Sequence, residues 1–443
     1  MCRLESRGLD MFIQIYNAAN IIFFCALGLC VILLANKIVY HIVGLFPQKK
    51  FADARINHRY GVLIPARNES KVIKELLESI KNQTYDTNLI QTFVIVESAD
   101  DPTCKIASKY KNTTVFIRKH LDKKGKGYAL NEVLQDIFKS EKSGDFEAFF
   151  IFDADNVLTS TFIEEMNKCF DAGFKMALGY RNSKNWNDGW IASCSAVNFS
   201  MINTFHNKCR SRFNMNVLVS GTGFYIDAGI LKKLNGWPFT TLTEDYEISL
   251  YLALNNVKSI YNEYAEFYDE QPTNIRTSWN QRLRWCKGFS QSNKIYKKQL
   301  MKSAITNKEN RWSKIEFSLN VLPLGLLVMT LVSYMLFMII LAAVGAIYSI
   351  TSYNLAFIAF GRALIATYLF LACYSLVILI VERKHTNIKF LSAVGCVLMS
   401  PFYLSLYIFI YMHSLCKKEV EWVRIEHNKS LNNSNSKEKI ING

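Results

Sequence analysis

The chain has 443 residues, half of them hydrophobic, and carries a formal net charge of +15 at pH 7. That charge suits anionic partners, but no basic stripe is interleaved with aromatic residues, so we expect no nucleic-acid partner and place the lysines at the cytoplasmic face of a membrane. The eleven cysteines lie singly and without metal-binding spacing, which indicates buried thiols in a reducing compartment rather than a disulfide framework.

The first predicted element is a membrane anchor that runs from Ile21 to about Phe46. Its apolar run is followed by Lys37 and not by a small-residue cleavage site, so we expect it to be retained. Residues 37–59 carry five Lys or Arg against Asp53 alone, and the positive-inside rule therefore puts the N-terminus outside and the next domain in the cytosol. The protein is expected to be an integral, multi-pass protein of the plasma membrane.

A soluble α/β domain follows the anchor. Short apolar runs alternate with helical patterns, which predicts a parallel sheet covered by helices on both faces, with ligands at the carboxyl ends of the strands. The predicted strands are 62–64, 93–96, 115–117 and 149–152, and the predicted helices are 71–81, 103–110 and 128–139.

Three apolar stretches, 317–349, 354–381 and 390–416, make up the C-terminal part. The first is longer than one crossing needs, so its start is expected along the interface, with a break at Pro323. Pro401 lies near the middle of the last stretch, which allows a kinked crossing or a re-entrant pair. We favour a crossing, although this puts the basic residues that follow on the outer side.

The predicted domains are therefore a membrane anchor, a catalytic domain, a set of interfacial and transmembrane helices (about three of the latter) and a polar tail. Their bounds are 1–50, 51–310, 311–416 and 417–443. The tail after Ser430 is rich in Asn, Ser and Lys and is expected to be disordered.

Two carboxylates close the predicted strand 149–152. Asp153 and Asp155 stand one residue apart at a strand end, where carboxylates hold a hard divalent cation together with a diphosphate. Mg²⁺ or Mn²⁺ would offset the charge that develops on a leaving nucleotide diphosphate. The alternative interpretation is a solvated turn or a helix cap.

A second acidic pair, Glu244 and Asp245, follows Thr243 at the start of a helical pattern. The pair suits a general base, because an inverting sugar transfer needs a carboxylate to accept the proton of the acceptor hydroxyl. Asp245 is the first choice and Glu244 the rival. The alternative is a helix cap with acids in the first turn.

Basic and aromatic residues complete the set. Arg284 could clamp a diphosphate, and Trp285 offers a flat face to a sugar ring, although both also suit a basic interfacial helix. Lys126, flanked by glycines, could reach a phosphate or belong to a solvated loop. The segment 220–223 (SGTG) permits close backbone approach or forms a plain turn.

Together these motifs resemble the family 2 glycosyltransferases, in particular the processive membrane group of cellulose, hyaluronan and chitooligosaccharide synthases. The matching order is IPARNE at 64–69, an acidic turn, a Lys loop, DxD at 153–155, a Gly-rich segment, TED at 243–245 and QxxRW at 281–285. The resemblance implies a glycosyltransferase-A (Rossmann-like) domain inserted between transmembrane helices.

By the same resemblance, Asp245 is the catalytic base and Asp155 a metal ligand beside Asp153, which also contacts the nucleotide. The implied donor contacts are Ala66, Glu97, Lys126, Asp153, Gln281, Arg284 and Trp285. Glu97 stands where the family usually has Asp, with Asp100 as the second candidate. Trp422 and His427 faintly resemble a gating element, with Ile425 in place of the expected Thr.

The leading functional hypothesis is that the protein transfers a sugar from a nucleotide-diphosphate sugar, expected to be a UDP-sugar, to a growing β-linked polysaccharide or another glycan acceptor. The lipid bilayer is a further expected partner. The alternative is transfer of a single sugar to a polyprenyl phosphate or a glycolipid. A channel with a nucleotide-sensing domain is the third hypothesis, disfavoured because the predicted membrane segments hold few ionisable groups. The sugar, the linkage and any accessory subunits are left open.

Overall fold

The computed structural model describes residues 2–140, 145–319, 322–348, 350 and 352–420. The proposed gating residues Trp422 and His427, and the tail after Ser430, lie outside this part of the chain. The helices are α1 Cys2–Leu33, α2 Ala35–Gly44, α3 Ile73–Lys81, α4 Pro102–Ala107, α5 Lys126–Lys139, α6 Phe162–Asp171, α7 Trp190–Met201, α8 Cys209–Arg212, α9 Ala228–Lys233, α10 Glu244–Leu254, α11 Ile275–Thr306, α12 Arg311–Leu319, α13 Leu322–Ile347, α14 Tyr353–Val381 and α15 Phe390–Cys416. A π-helical segment, Ile202–Lys208, joins α7 to α8.

One mixed sheet forms the centre of the soluble part. Its strands are β1 Tyr60–Pro65, β2 Ile90–Val96, β3 Thr113–Ile117, β4 Ala148–Ile151, β5 Val157–Leu158, β6 Met176–Ser183, β7 Phe224–Asp227 and β8 Ser259–Asp269. They lie in the order β3-β2-β1-β4-β7-β6-β8-β5. The four predicted strands are β1 to β4, and they are mutually parallel as expected. The sheet as a whole is mixed, because β7 runs antiparallel to both β4 and β6.

Alternation along the central strands builds a core on each face of the sheet. Val62 and Ile64 of β1 pack with α3 and α6 on one face, whereas Leu63 packs with α5 on the other. All three side chains are fully buried, each contributing about 1.5–3 kcal/mol of transfer free energy. The sheet is therefore covered on both sides, which confirms the α/β layering and leaves its carboxyl edge to form a site.

Four helices in the described part of the chain are long and apolar enough to cross a membrane: 7–33 in α1, 325–347 in α13, α14 and α15. Within the stretch 317–349, α12 ends at Leu319 and α13 begins at Leu322. Helix α15 runs unbroken through Pro401, so a re-entrant pair of helices is not what this segment forms.

Buried charges attach α2 to the soluble domain. Glu316 of α12 accepts from Lys37 Nζ at 2.5 Å, from Tyr40 Oη at 2.8 Å and pairs with Arg210 at 3.0 Å. Burial acts to raise the pKa of Glu316, but Arg210 and Lys37 hold it down at about 2. Removing one member of such a buried group leaves an uncompensated charge and costs about 3–5 kcal/mol. These contacts therefore hold α2, at the end of the N-terminal anchor, against α8 and α12.

A second polar junction attaches the end of α14 to the sheet. Glu382 accepts a hydrogen bond from Tyr180 Oη of β6 at 2.5 Å and another from the hydroxyl of Thr204. Asn182 Nδ2 donates to the carbonyl of His385 at 2.7 Å, and the His385 ring stacks on Tyr180 with centroids 4.3 Å apart. Because Glu382 is only 3% exposed, this junction is shielded from water.

Candidate active site

One continuous cavity of about 2650 Å³ is lined by the ten residues to which the sequence assigns a catalytic, donor-binding or metal-binding role. It lies at the carboxyl edge of the parallel strands and extends toward the membrane-length helices. The ten predicted residues that line it are Ala66, Glu97, Lys126, Asp153, Asp155, Glu244, Asp245, Gln281, Arg284 and Trp285. Residues separated by more than 200 positions in the chain are thus brought to one place.

Lys126 links the DxD segment to the Gly-rich segment. Its ammonium donates to Asp153 Oδ1 at 2.5 Å and to the carbonyl of Gly221 at 2.7 Å. Lys126 is the first residue of α5, and the preceding Gly125 turns the chain with a φ of +128°, a conformation that favours glycine. The lysine therefore lies where it can contact a phosphate beside Asp153, and the solvated-loop alternative does not describe it.

Asp155 is 5% exposed, and its Oδ2 accepts from the backbone N–H of Glu270 at 3.0 Å. Among the described residues no three His, Cys, Asp or Glu side chains form a preformed metal cage. Mg²⁺ and Mn²⁺ take carboxylate oxygens, and Mg²⁺ commonly uses one or two carboxylates plus substrate phosphates. The carboxylates of Asp153 and Asp155, both on the cavity wall, therefore fit such a cation.

Sequence reasoning missed an ion pair next to this site. Arg181 of β6 donates through Nε to Asp269 Oδ2 at 2.6 Å and through a terminal nitrogen to Ser220 O at 2.6 Å. Its guanidinium lies 3.8 Å from the ring centroid of Phe199. Burial and the nearby Asp155 raise the pKa of Asp269, and Arg181 opposes them. Arg181 and Asp269 belong to no motif, so only the strand pairing of β6 with β8 reveals them.

Glu244 and Asp245 are the first residues of α10; the side chain of Glu244 is buried and that of Asp245 is partly exposed. Thr243 occupies the N-cap position of α10 but its side chain makes no capping hydrogen bond, so of the helix-cap alternative only the acids in the first turn are present. A Cβ placed on Gly221 would lie 3.5 Å from Asp245 Oδ2, which puts Asp245 beside the segment that Lys126 also contacts. The acidic pair and the DxD segment therefore share one end of the cavity.

Burial raises the pKa of both carboxyl groups of this pair. For Glu244 burial and the neighbouring Asp245 raise it to about 7, against the lowering effect of Lys126 and Arg284. For Asp245 burial raises the pKa, and the N–H of Tyr246, which donates to Oδ1 at 2.8 Å, opposes the shift. A raised pKa brings a carboxylate closer to the strength that general-base catalysis needs near neutral pH.

The first prediction concerns pH. A base works only when it is deprotonated, and burial raises the pKa of Asp245, so its competent form should be lost at a higher pH than for an ordinary carboxyl group. We expect kcat/KM to drop about tenfold per pH unit below that raised pKa. In Glu244→Gln the midpoint should move to lower pH, because a neighbouring negative charge is removed. A wild-type midpoint near pH 4 would contradict the assignment.

The QxxRW residues lie on α11, facing the same cavity. Arg284 donates to the carbonyl of Leu242, just before the TED segment, at 3.3 Å, and Trp285 meets the ring of Phe199 edge-on at 5.9 Å. Arg282, between Gln281 and Arg284 in the sequence, is 1% exposed and donates to the carbonyl of Tyr403 in α15 at 2.9 Å. Gln281, Arg284 and Trp285 thus line the cavity, whereas Arg282 binds α15.

The three acidic residues that follow β2 lie in different surroundings. Glu97 lines the cavity and pairs with Arg67 at 2.8 Å and with Arg118 at 3.6 Å. Asp100, the second candidate, is exposed and does not line the cavity. Asp101 caps α4 by accepting from the N–H of Thr103. Of the three acids after β2, only Glu97 is therefore placed to contact a ligand in this cavity.

The far end of the cavity is apolar. It is lined by side chains of α13, α14 and α15, among them Leu327, Leu331, Leu364, Phe370 and Ile408. The cavity therefore joins a charged end, at the carboxyl edge of the sheet, to a hydrocarbon-like end between helices of membrane length.

Comparisons with known proteins identify the family. The family model described as "Glycosyltransferase like family 2" matches residues 58–288. A "Probable glycosyltransferase YdaM" of Bacillus subtilis is 25% identical over 253 residues, covering 52% of this chain and 55% of that protein. A "Beta-monoglucosyldiacylglycerol synthase" of Trichormus variabilis is 23% identical over 264 residues, covering 58% of this chain and 54% of that protein. The chain thus spans about half the length of these curated relatives.

Among solved structures, a mannosyltransferase from Pyrobaculum calidifontis, in complex with GDP-Man and Mn²⁺, is similar over 92% of this chain and 100% of its own. The TM-score is 0.58 at 15% sequence identity, which establishes likeness of fold.

Proposed function

The chain belongs to glycosyltransferase family 2, and from this premise we propose that it is an inverting transferase that moves a sugar from a nucleotide-diphosphate sugar to a lipid-borne acceptor. That it is an enzyme transferring sugar from a nucleotide donor follows from the family. The single observation that carries the rest is the cavity, whose charged end holds the predicted residues and whose other end is apolar.

In the proposed reaction the donor's diphosphate lies at the charged end. Lys126 and Arg284 contribute positive charge there, and the planar fork of Arg284 suits phosphate oxygens. A bound Mg²⁺ or Mn²⁺, held by Asp153 and Asp155, would add further positive charge against the diphosphate as it leaves. The Mn²⁺ in the Pyrobaculum enzyme's complex supports this choice of cation.

Asp245 acts as the base in this scheme. The acceptor oxygen forms a bond to the anomeric carbon, the bond from that carbon to the diphosphate oxygen breaks, and the hydroxyl proton goes to the Asp245 carboxylate. Attack opposite to the leaving group inverts the anomeric configuration. Trp285 lies on the cavity wall, where its flat face suits the acceptor sugar or head group.

The apolar end of the cavity favours a lipid as the acceptor. Leu327 and Leu331 of α13 line it together with Leu364 and Phe370 of α14, and such side chains offer contacts to acyl or prenyl chains but few hydrogen bonds to a sugar polymer. The relative that makes monoglucosyldiacylglycerol supports a glycolipid or its diacylglycerol precursor as this acceptor.

The second prediction tests the acceptor. Purified protein in lipid nanodiscs would be incubated with UDP- and GDP-sugars, with or without diacylglycerol or a polyprenyl phosphate, while nucleotide release and product mass are measured. We expect release to require the lipid and the product to gain one sugar. Leu331→Trp should raise the KM for the lipid about tenfold and leave the donor KM unchanged, because the ring fills the apolar end. Leu336→Trp, on the same helix but 56% exposed, is the matched control.

Synthesis of a β-linked polysaccharide is the second candidate, and the QxxRW motif favours it. Gln281, Arg284 and Trp285 all line the cavity, as expected for residues that contact the end of a growing chain. A product ladder of many sugars, formed without added lipid, would support this candidate and contradict the lipid acceptor.

A further inference from the structure

Helix α15 has the composition of a membrane crossing, yet both of its ends touch the soluble domain. At its start, the N–H of Lys389 donates to Asn187 Oδ1 at 2.8 Å, and Asn187 Nδ2 donates to the carbonyl of Asn387 at 3.0 Å. Asn187 lies in the turn between β6 and α7. The first turn of α15 is thus at the surface of the catalytic domain.

The middle of α15 is in contact with the same domain. Cys396 lies with its sulfur 3.7 Å from that of Cys194 in α7, and both are buried. Seven residues further on, the carbonyl of Tyr403 accepts from Arg282 of α11, whose guanidinium also lies 4.1 Å from the Tyr403 ring centroid. The first half of the helix is therefore in contact with the domain at its start, at Cys396 and at Tyr403.

The last turn of α15 is held as well. Trp279 Nε1 donates to His413 Nδ1 at 3.3 Å, and Lys287 Nζ donates to the carbonyl of Ser414 at 3.2 Å. A helix of 27 residues is about 40 Å long, so a helix that crossed a bilayer would end far from the domain at which it began. Helix α11 itself carries five lysines between 287 and 302, so it does not enter hydrocarbon.

The opposite face of α15 is exposed and apolar. Phe390, Leu391, Phe402 and Phe409 are 80%, 82%, 50% and 60% exposed, and no Asp, Glu, Lys or Arg occurs between 390 and 416. An apolar face of this length needs a partner, and α15 packs against α14, whose exposed side chains are mostly apolar, Arg362 and Asn354 being exceptions. A lipid leaflet is the partner that fits both helices.

We propose that α15 lies along the membrane face of the catalytic domain, with this apolar face in one leaflet, and does not cross the bilayer. The crossings are then α1, α13 and α14. Two of these crossings, α13 and α14, follow the catalytic domain, so the chain returns to the side of that domain before α15. Lys417 and Lys418 then lie on that side and satisfy the positive-inside rule. The conflict that four crossings create for these two lysines disappears.

The third prediction compares two lysine substitutions. Leu369 and Phe402 are near the middles of α14 and α15 and are 54% and 50% exposed. In a crossing helix a central lysine is costly, whereas in an interfacial helix it reaches the head groups. We expect Leu369→Lys to lower the amount of monodisperse, membrane-extracted protein about tenfold or more, and Phe402→Lys to keep it within about twofold of wild type. Equal losses in both variants would overturn the proposal.

A second measurement uses the unaltered chain with a small epitope tag after Gly443. In sealed vesicles, trypsin added outside should remove the tag only in those vesicles where it also cuts the catalytic domain at its exposed lysines, Lys109 and Lys111. Tag removal in vesicles whose catalytic domain stays protected would place the C-terminus on the other side and overturn the proposal. Neither readout depends on which acceptor the enzyme uses.

Discussion

Asp245→Asn is expected to lower kcat by about 10³-fold while leaving the affinity for the nucleotide sugar unchanged. Asn keeps the size of the side chain and its acceptor oxygen for the N–H of Tyr246, but it cannot take a proton from the acceptor hydroxyl. The loss should fall on kcat, because the proton moves only in the transition state. Nucleotide release gives kcat, and calorimetric titration with the sugar nucleotide gives the affinity.

Glu244→Gln is the matched control for this substitution. Both residues belong to the same turn of α10 and to the same charged end of the cavity, so a general disturbance of that end would affect the two variants alike. We expect Glu244→Gln to retain activity at pH 8, within about tenfold of wild type, because Asp245 and not Glu244 accepts the proton in the proposed reaction. If Glu244→Gln is dead and Asp245→Asn is active, the roles are reversed.

The second large effect concerns the divalent cation. Asp155→Asn is expected to lower kcat/KM by at least about 100-fold, because a cation held by one carboxylate fewer is bound weakly and offsets less charge on the diphosphate. EDTA should abolish activity in the wild type, and Mg²⁺ or Mn²⁺ should restore it. Binding of Mn²⁺ in the presence of nucleotide, followed by electron paramagnetic resonance, should weaken in the variant.

Asp100→Asn controls for the removal of a carboxylate as such. Asp100 is exposed and outside the cavity, so this variant should bind Mn²⁺ and turn over like the wild type. Full activity of the wild type in EDTA, with metal-free reagents, would remove the cation from the mechanism and leave Lys126 and Arg284 to meet the diphosphate alone.

The sequence predicts the first half of the sheet well because each of β1 to β4 contains a short apolar run, and helical patterns separate these runs. It does not predict β6 or β8. Their sequences mix apolar and polar residues, as in Met176–Ser183, since one end of each strand lies in the core and the other in the site. The antiparallel insertion of β7 depends on contacts between distant parts of the chain, which no local pattern records.

The candidate site shows the same division. The motif residues converge as predicted, because strand ends and helix starts carry them to one edge of the sheet. Arg181 and Asp269 lie outside every motif, yet their ion pair lies beside Asp155 and spans β6 and β8. The polar partners of Asp153, such as Thr222 Oγ1 at 2.9 Å from its nitrogen, also become visible only when the loops are folded together.

The polar junction at the end of α14 has a consequence for acceptor choice. Glu382 and His385 bind the membrane helix to Tyr180 and Asn182 of β6, and β6 also carries Arg181 at the cavity wall. If α14 crosses a bilayer, as we propose, this junction would hold the proposed reaction site at a fixed height above the hydrocarbon. That height would select acceptors by the distance between the reacting hydroxyl and the lipid backbone. A hydroxyl close to the lipid backbone would meet Asp245, whereas the terminal hydroxyl of a glycolipid with several sugars would extend beyond it.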